Sequence, residues 1–468
     1  VIGIAGIVLS LGLLMWLAYR GVSVLVLAPV LALLAVLIDG DLPLLAVYTQ
    51  VFMTALGGFV VKYFPLFLLG ALFGRLTSDS GAADTIARSI VSALGAHRAL
   101  PAVVLACAVL TYGGVSLFVV AFAAYPVAST LFRQAGIPKR LIPGAIALGA
   151  ATFTMTALPG APSIQNAMPM PYFGTDLFAA PAMGLLASVL MLAGGLAWLA
   201  RRQRTAKIRG EAYEAHSVDN ATAVDVASRP TLVVALVPLL LVVVGNLAFA
   251  RVVIPAMDTS YLAEPRFGGV TVDDVRGIWA LIAALTLAIG ATVGLHWRRW
   301  HSLAGSINGG TQSALLPIFN TASEVGYGTV IATLGAFALI RDQVLGLWPD
   351  APLVSASIAV NVMAGITGSA SGGLGIALAA LGGTYLDLAS AADVGPEALH
   401  RVVVIASGGL DSLPHNGAVI TLLGICGLTH RESYLDIFVV TVAVPLCTLG
   451  LVLVAGALGW GWGGHKML

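Results

Sequence analysis

Apolar residues run along this chain in blocks too long and unbroken for the alternation of half-buried strands or the one-sided stripe of surface helices. Uncharged blocks cover Ala99 to Phe132, Leu141 to Thr175, Leu177 to Ala200, Thr231 to Ala250, Gly277 to Leu295, Ala351 to Leu386, Val402 to Leu410 and Ile437 to Trp462. Near the start lie Ile2–Ala18 and Val22–Ile38, then Leu42 to Leu76, interrupted only by Lys62 and Arg75. A bilayer core takes about 20 apolar residues per helix, so the pattern predicts an all-α polytopic membrane protein. Several blocks exceed one span and carry Gly, Ser, Thr, Asn or Pro near their centres. They read as hairpins or interrupted helices rather than single rods. Val1 to Tyr19 has no basic start and no small-residue cleavage site, so it reads as a first membrane helix rather than a signal peptide. The absence of an initiating Met implies that a few residues have been trimmed.

Composition agrees. Of 468 residues, 59% are hydrophobic and 10% charged, against roughly 25% charged in a soluble domain. The 23 basic and 22 acidic residues nearly cancel, which excludes a basic nucleic-acid binder and a disordered acidic chain. Cys107, Cys426 and Cys447 sit in apolar runs without metal-ligand spacing and read as small buried hydrophobes. No phosphate loop, paired His ligands or CxxC is present, so no cofactor or metal is expected. Arg201 to Arg229 opens with Arg201, Arg202, Arg204, Lys207 and Arg209, and the positive-inside rule places it in the cytoplasm. Arg298 and Arg299 follow two spans later on the same side, which leaves the acidic stretch Arg251 to Arg276 outside. Lys62 is expected to snorkel to the interface.

The basic loop divides the chain nearly in half, and the halves echo each other. Thr111-Tyr-Gly-Gly-Val-Ser116 lies 48 residues before Pro159 of the run Leu158 to Asn166. Thr367-Gly-Ser-Ala-Ser371 lies 47 residues before Pro414 of the run Leu413 to Gly417. Pro138 and Pro396 fall between these marks in their respective halves. Each cluster breaks a helix with Gly or Pro and supplies small hydroxyls. Such breaks survive at membrane depth only inside protein or against a wet cavity. They aim half-helix N-termini, with free N–H groups and partial positive charge, at an anion. Close helix packing by small residues is the competing explanation for any one cluster, and four at matched spacing favour a site.

Glu324 is the only charge from Ser302 to Ile340. An intramembrane carboxylate is costly when ionised and generally faces a functional cavity, which suits a proton carrier. Asp411 and His415, four residues apart around Pro414, are the further candidates for carrying a proton.

The strings YGGVSLFVVAFAAYP (112–126), LPGAPSIQN (158–166), NTASEVGYG (320–328) and SGGLDSLPHNGAVITLLG (407–424) resemble the gluconate permease family of the ion-transporter superfamily. The resemblance covers about residues 60 to 456. It implies a homodimeric secondary transporter in the inner, plasma membrane, not an enzyme, taking up hydroxy monocarboxylate anions with protons. It also implies two inverted repeats with re-entrant hairpins and broken helices, and a transport domain moving against a scaffold as an elevator. On that plan 1–60 and 231–300 are scaffold helices, 61–200 is the first repeat, 201–230 the cytoplasmic loop and 301–468 the second repeat. The segments 100–200 and 350–456 would move as one body. Hairpin tips fall at Gly113–Ser116 and Gly368–Ser371, and breaks at Leu158–Asn166 and Asp411–Asn416. Substrate contacts are expected from Thr111, Gly113, Gly114, Ser116, Pro159, Gly160, Ser163, Gln165, Asn166, Thr367, Gly368, Ser369, Ser371, His415 and Asn416. Glu324, Asp411 and His415 are the expected proton-coupling residues. The second hairpin lacks the arginine that precedes the Gly-Ser-Ala run in the sugar-acid branch, and NTASEVGYG replaces a Gly-rich segment there. Both departures place the chain nearer the branch resembling 3-hydroxybutyrate permeases. A gluconate or other sugar-acid symporter, a sodium-coupled carboxylate transporter and an anion channel are the alternatives.

Overall fold

The computed structural model describes residues 2–20, 22–213, 230–337, 339, 351–414 and 416–457. Among them every regular element is helical, and seven helices are long and apolar enough to cross a membrane. Leu44–Asp79 and Leu303–Thr333 form the axis of the molecule. They run antiparallel, because Ser306 Oγ donates to Asp79 Oδ2 at one end while Gly326 packs on Phe52 at the other. Glycine allows this approach: a Cβ on Gly310 would stand 3.0 Å from Leu72 Cα, and one on Gly326 3.1 Å from Phe52 O. Without a hydrophobic drive between helices in lipid, such close contact is what holds them together. Each long helix precedes its half's hairpin, so the antiparallel pairing fits an inverted relation between the halves.

The first hairpin is Ala99–Tyr112 and Leu117–Gln134; the second is Pro352–Thr367 and Ala370–Ala391. Their turns fall at the expected tips, with Gly114 at φ +94° and Gly368 at φ +63°. After the first hairpin, Ile142–Ala150 gives way to the short turns Phe153–Thr156, Ile164–Ala167 and Met170–Phe173. Pro159, Pro162, Pro169 and Pro171 keep that stretch from continuing as a helix. After the second, Pro396–Ser407 ends at Gly408 and Gly417–Cys426 begins from an Asn416 cap. The basic residues Arg201 to Lys207 continue the helix Pro181–Ile208 rather than opening a loop, as expected of good helix formers. Residues 214–229, Arg341, Asp342, the stretch 458–468 and His415 lie outside the described residues. Lys62 places its Nζ 5.3 Å from the ring centre of Tyr172. Cys107 and Cys426 are buried and Cys447 is exposed.

One buried carboxylate joins three segments. Asp436 takes hydrogen bonds from Trp198 Nε1 (3.0 Å), Arg202 Nε (2.7 Å) and Arg140 Nη1 (3.1 Å). Arg140 also donates to Glu211 at 2.7 Å and holds that carboxyl below the usual range. Asp436→Ala would leave both guanidiniums without their shared anion, and we expect a loss of about 3 kcal/mol. A thermal unfolding midpoint in detergent several degrees below wild type checks this; an unchanged midpoint would count against the hub.

Candidate functional site

Each hairpin tip is fastened to the helix break of its own half. Tyr112 Oη donates to Pro159 O at 2.8 Å, and Gly114 sits against Pro162. Asn416 Nδ2 donates to Gly368 O at 2.9 Å and to Asp411 O at 2.9 Å. Both joints satisfy carbonyls freed by the break, as burial in a membrane demands. Gly160 holds φ +78°, and a Cβ there would enter the Phe178 ring, so this position requires glycine. Its N–H donates to Leu177 O at 2.8 Å.

The two breaks are tied together by a knot of buried polar groups. Asn166 Nδ2 donates to Ala161 O and Leu177 O, and its Oδ1 faces His400 Nε2 and Arg401 Nη1, each at 3.1 Å. Arg401 also donates to the carbonyls of Leu177 and Ala179, and His400 Nδ1 lies 2.6 Å from Thr175 Oγ1. All of Asn166, His400 and Arg401 are 0% exposed. Among the described residues, every hydrogen bond of the buried guanidinium goes to a carbonyl oxygen. Beside the knot, Gly408 packs on Thr156, bringing the two breaks into contact.

The expected site residues divide into groups. Asn166 has its amide committed in four directions inside the protein. Ser163 Oγ donates to Met155 O and accepts from Asn166 N. Gln165 Oε1 and Thr111 Oγ1 are buried without a hydrogen-bond partner among the described residues. Ser116 is exposed at the start of Leu117–Gln134, its side chain making no cap. Asp411 Oδ1 accepts from Ser412 Oγ at 3.0 Å.

The second tip gathers a hydroxyl cluster with Glu324. Ser369 caps Ala370–Ala391 by accepting from Gly372 N at 3.0 Å, and Thr367 Oγ1 donates to Met363 O at 2.9 Å. Ser371 Oγ lies 3.4 Å from both Ser369 Oγ and Thr321 Oγ1. Glu324, one helical turn beyond Thr321, is 3% exposed and its carboxyl abuts Gly372. Thr321, Tyr112, His400 and Arg401 were not anticipated from sequence. His400 and Arg401 stand at the head of an apolar run, where charges ordinarily mark a membrane interface. The Pro396 helix start was the one signal that they lie inside a helix.

Paired hairpins and broken helices in an all-helical membrane body define a membrane transporter, and the comparisons agree. A profile described as GntP family permease matches residues 1–300. The chain is 44% identical to "Uncharacterized transporter YxjC" of Bacillus subtilis (strain 168) over 467 residues, 97% of this chain and 98% of that one. The crystal structure of the Alcanivorax borkumensis YdaH transporter, described as having an unusual topology, superposes with a TM-score of 0.50. That match has 18% identity over 89% of this chain and 90% of that one, and speaks to the fold alone. The chain belongs to the GntP permease family and is a multi-pass cell-membrane protein.

Asn166→Ala would strip His400 and Arg401 of their common acceptor, at a cost of about 3 kcal/mol. Ser116→Ala, at an exposed position, should melt as wild type does. Detergent unfolding curves for the two variants check the contrast, and equal midpoints would remove the structural role of the knot.

Proposed function

We propose that the chain is a secondary active symporter that imports a small hydroxy monocarboxylate, such as 3-hydroxybutyrate, together with protons. The observation that carries this reading is Glu324, a buried carboxylate set against the hydroxyl-rich tip of the second hairpin. An anion entering against a negative-inside potential needs a cation with it. A lone carboxylate that can be neutral when loaded is the least costly carrier at membrane depth. The helices starting at Leu117, Ala370 and Gly417 all begin at tips or breaks, and their N-terminal ends suit a carboxylate. In this reading Ser116, Ser369, Ser371 and Asn416 approach the substrate. Gln165 Oε1 accepts its hydroxyl, while Asn166 positions the breaks.

Motion follows from the same joints. Tyr112–Pro159, Asn416–Gly368 and the Asn166–Arg401 knot link both tips and both breaks. The segments 100–200 and 350–456 therefore move as one body against 1–60 and 231–295 in an elevator cycle, with the scaffold at a homodimer interface. Sodium is the alternative coupling ion, since hydroxyls and broken-helix carbonyls also suit it.

Proteoliposomes with an inward proton gradient should accumulate 3-hydroxybutyrate saturably, with and without sodium. Glu324→Gln should abolish that accumulation while keeping part of the substrate exchange, which moves no net proton. Conductance that ignores the gradient would point to a channel, and unchanged pH-driven accumulation by Glu324→Gln would move the proton elsewhere.

A further inference from the structure

The helix Ala370–Ala391 begins with a set of amides that its own cap does not exhaust. Ser369 Oγ takes the N–H of Gly372, and the N–H groups of Ala370 and Ser371 carry no hydrogen bond among the described residues. A 22-residue helix concentrates partial positive charge at that end. The side chain set against this first turn, at Gly372, is Glu324, 97% buried given its 3% exposure, and without a hydrogen bond or ion pair among the described residues. Its carboxyl fills the place where a Cβ on Gly372 would stand, so a glycine in the first turn is what lets it in. Thr321 comes from the same face of the same helix and meets Ser371 Oγ at 3.4 Å.

Among the described residues, no charged group is bonded to this carboxylate. The helix Leu44–Asp79 brings Tyr48, Lys62, Tyr63, Arg75 and Asp79; Val24–Asp39 brings Asp39; Ala370–Ala391 brings Tyr385 and Asp387; Tyr327 shares its own helix. None of them hydrogen-bonds or ion-pairs with Glu324. Arg75 is engaged by Asp79, Lys62 by Tyr172, Tyr63 by Met168 O and Tyr327 by Ser10. The positive counterpart available to an ionised Glu324 is therefore the helix end itself.

We propose that Glu324 is an internal occupant of the N-terminus of Ala370–Ala391, and that a carboxylate ligand and ionised Glu324 exclude each other from it. This rests on the symporter reading and adds how proton and anion are coupled. Two carboxylates at one helix end repel strongly in a low-dielectric site. Protonating Glu324 removes the repulsion and turns the side chain from a rival acceptor into an O–H donor to the incoming anion. Proton binding and anion binding then favour each other by the same factor. Coupling needs no separate proton site and no gate: an unprotonated carrier does not hold its cargo.

The experiment is binding without transport, on the full chain in nanodiscs. Formate, acetate and 3-hydroxybutyrate are the probes, and calorimetry in two buffers of different ionisation enthalpy counts protons. Above the Glu324 titration, wild type should take up one proton per anion, with Kd rising about tenfold per pH unit. Glu324→Gln should bind with no proton uptake and a Kd that is flat with pH and close to the wild-type value in acid. The wild-type proton count stands as a test by itself should the variant fold poorly. Equal 3-hydroxybutyrate affinity at acid and alkaline pH in wild type would overturn the competition and leave the substrate reading standing. pH-gated binding of formate and acetate without 3-hydroxybutyrate would do the reverse. A Glu324→Gln protein that keeps the wild-type pH slope, or a wild type that binds none of the three probes, would also overturn the proposal.

Discussion

In hydrocarbon a broken helix persists only if the carbonyls and amides it frees are paired within the protein, and the rest of this structure is arranged around that demand. Each hairpin and each break exposes such groups, and the pairing ties each tip to the break of its own half and, through Arg401, one half to the other. Tyr112 reaches the carbonyl of Pro159, Asn416 reaches that of Gly368, and Leu177 O receives Gly160 N, Asn166 Nδ2 and Arg401 Nη2 together. The need to satisfy backbone thus turns four separate irregularities into one connected body. It also explains a fully buried arginine with no carboxylate hydrogen-bonded to it: at Leu177 and Ala179 it caps oxygens that no helix could cap.

The backbone side of this was legible in the sequence. Uncharged blocks longer than one span, interrupted by Gly, Pro and small hydroxyls, marked hairpins or interrupted helices, and the family resemblance placed the tips at Gly113–Ser116 and Gly368–Ser371, where the turns lie. The repeat was visible as spacing, because a tip and its break must lie a fixed length of helix apart. What joins the halves was not legible. His400 and Arg401 follow Glu397 near a helix start and look like interface charges, and only folding shows that the helix carries them inward to Asn166. Asn166 was expected as a substrate contact from the matched spacing of the run Leu158 to Asn166, and its amide is hydrogen-bonded to Ala161, Leu177, His400 and Arg401. Composition cannot say whether an amide faces a cavity or another helix. The extension of Pro181–Ile208 through its arginines was hidden for a related reason, since basic residues end a membrane span without ending a helix.

The same physics treats the two halves unequally. Their order of elements matches, with long helix, hairpin and break in turn. Their charges do not. The first break is held by the guanidinium of Arg401, which comes from the second half and is hydrogen-bonded on several sides. The second tip holds a carboxyl group with no bonded partner among the described residues, pressed on a glycine at a helix end. A structural charge is one that its neighbours have fully committed, and a working charge is one they have left free. By that criterion Arg401 belongs to the frame, and Glu324 is the charge left for the proposed cycle. Both charges come from the second half: one ties the two breaks together, and the other, on the proposed symport, is the group left to take the proton.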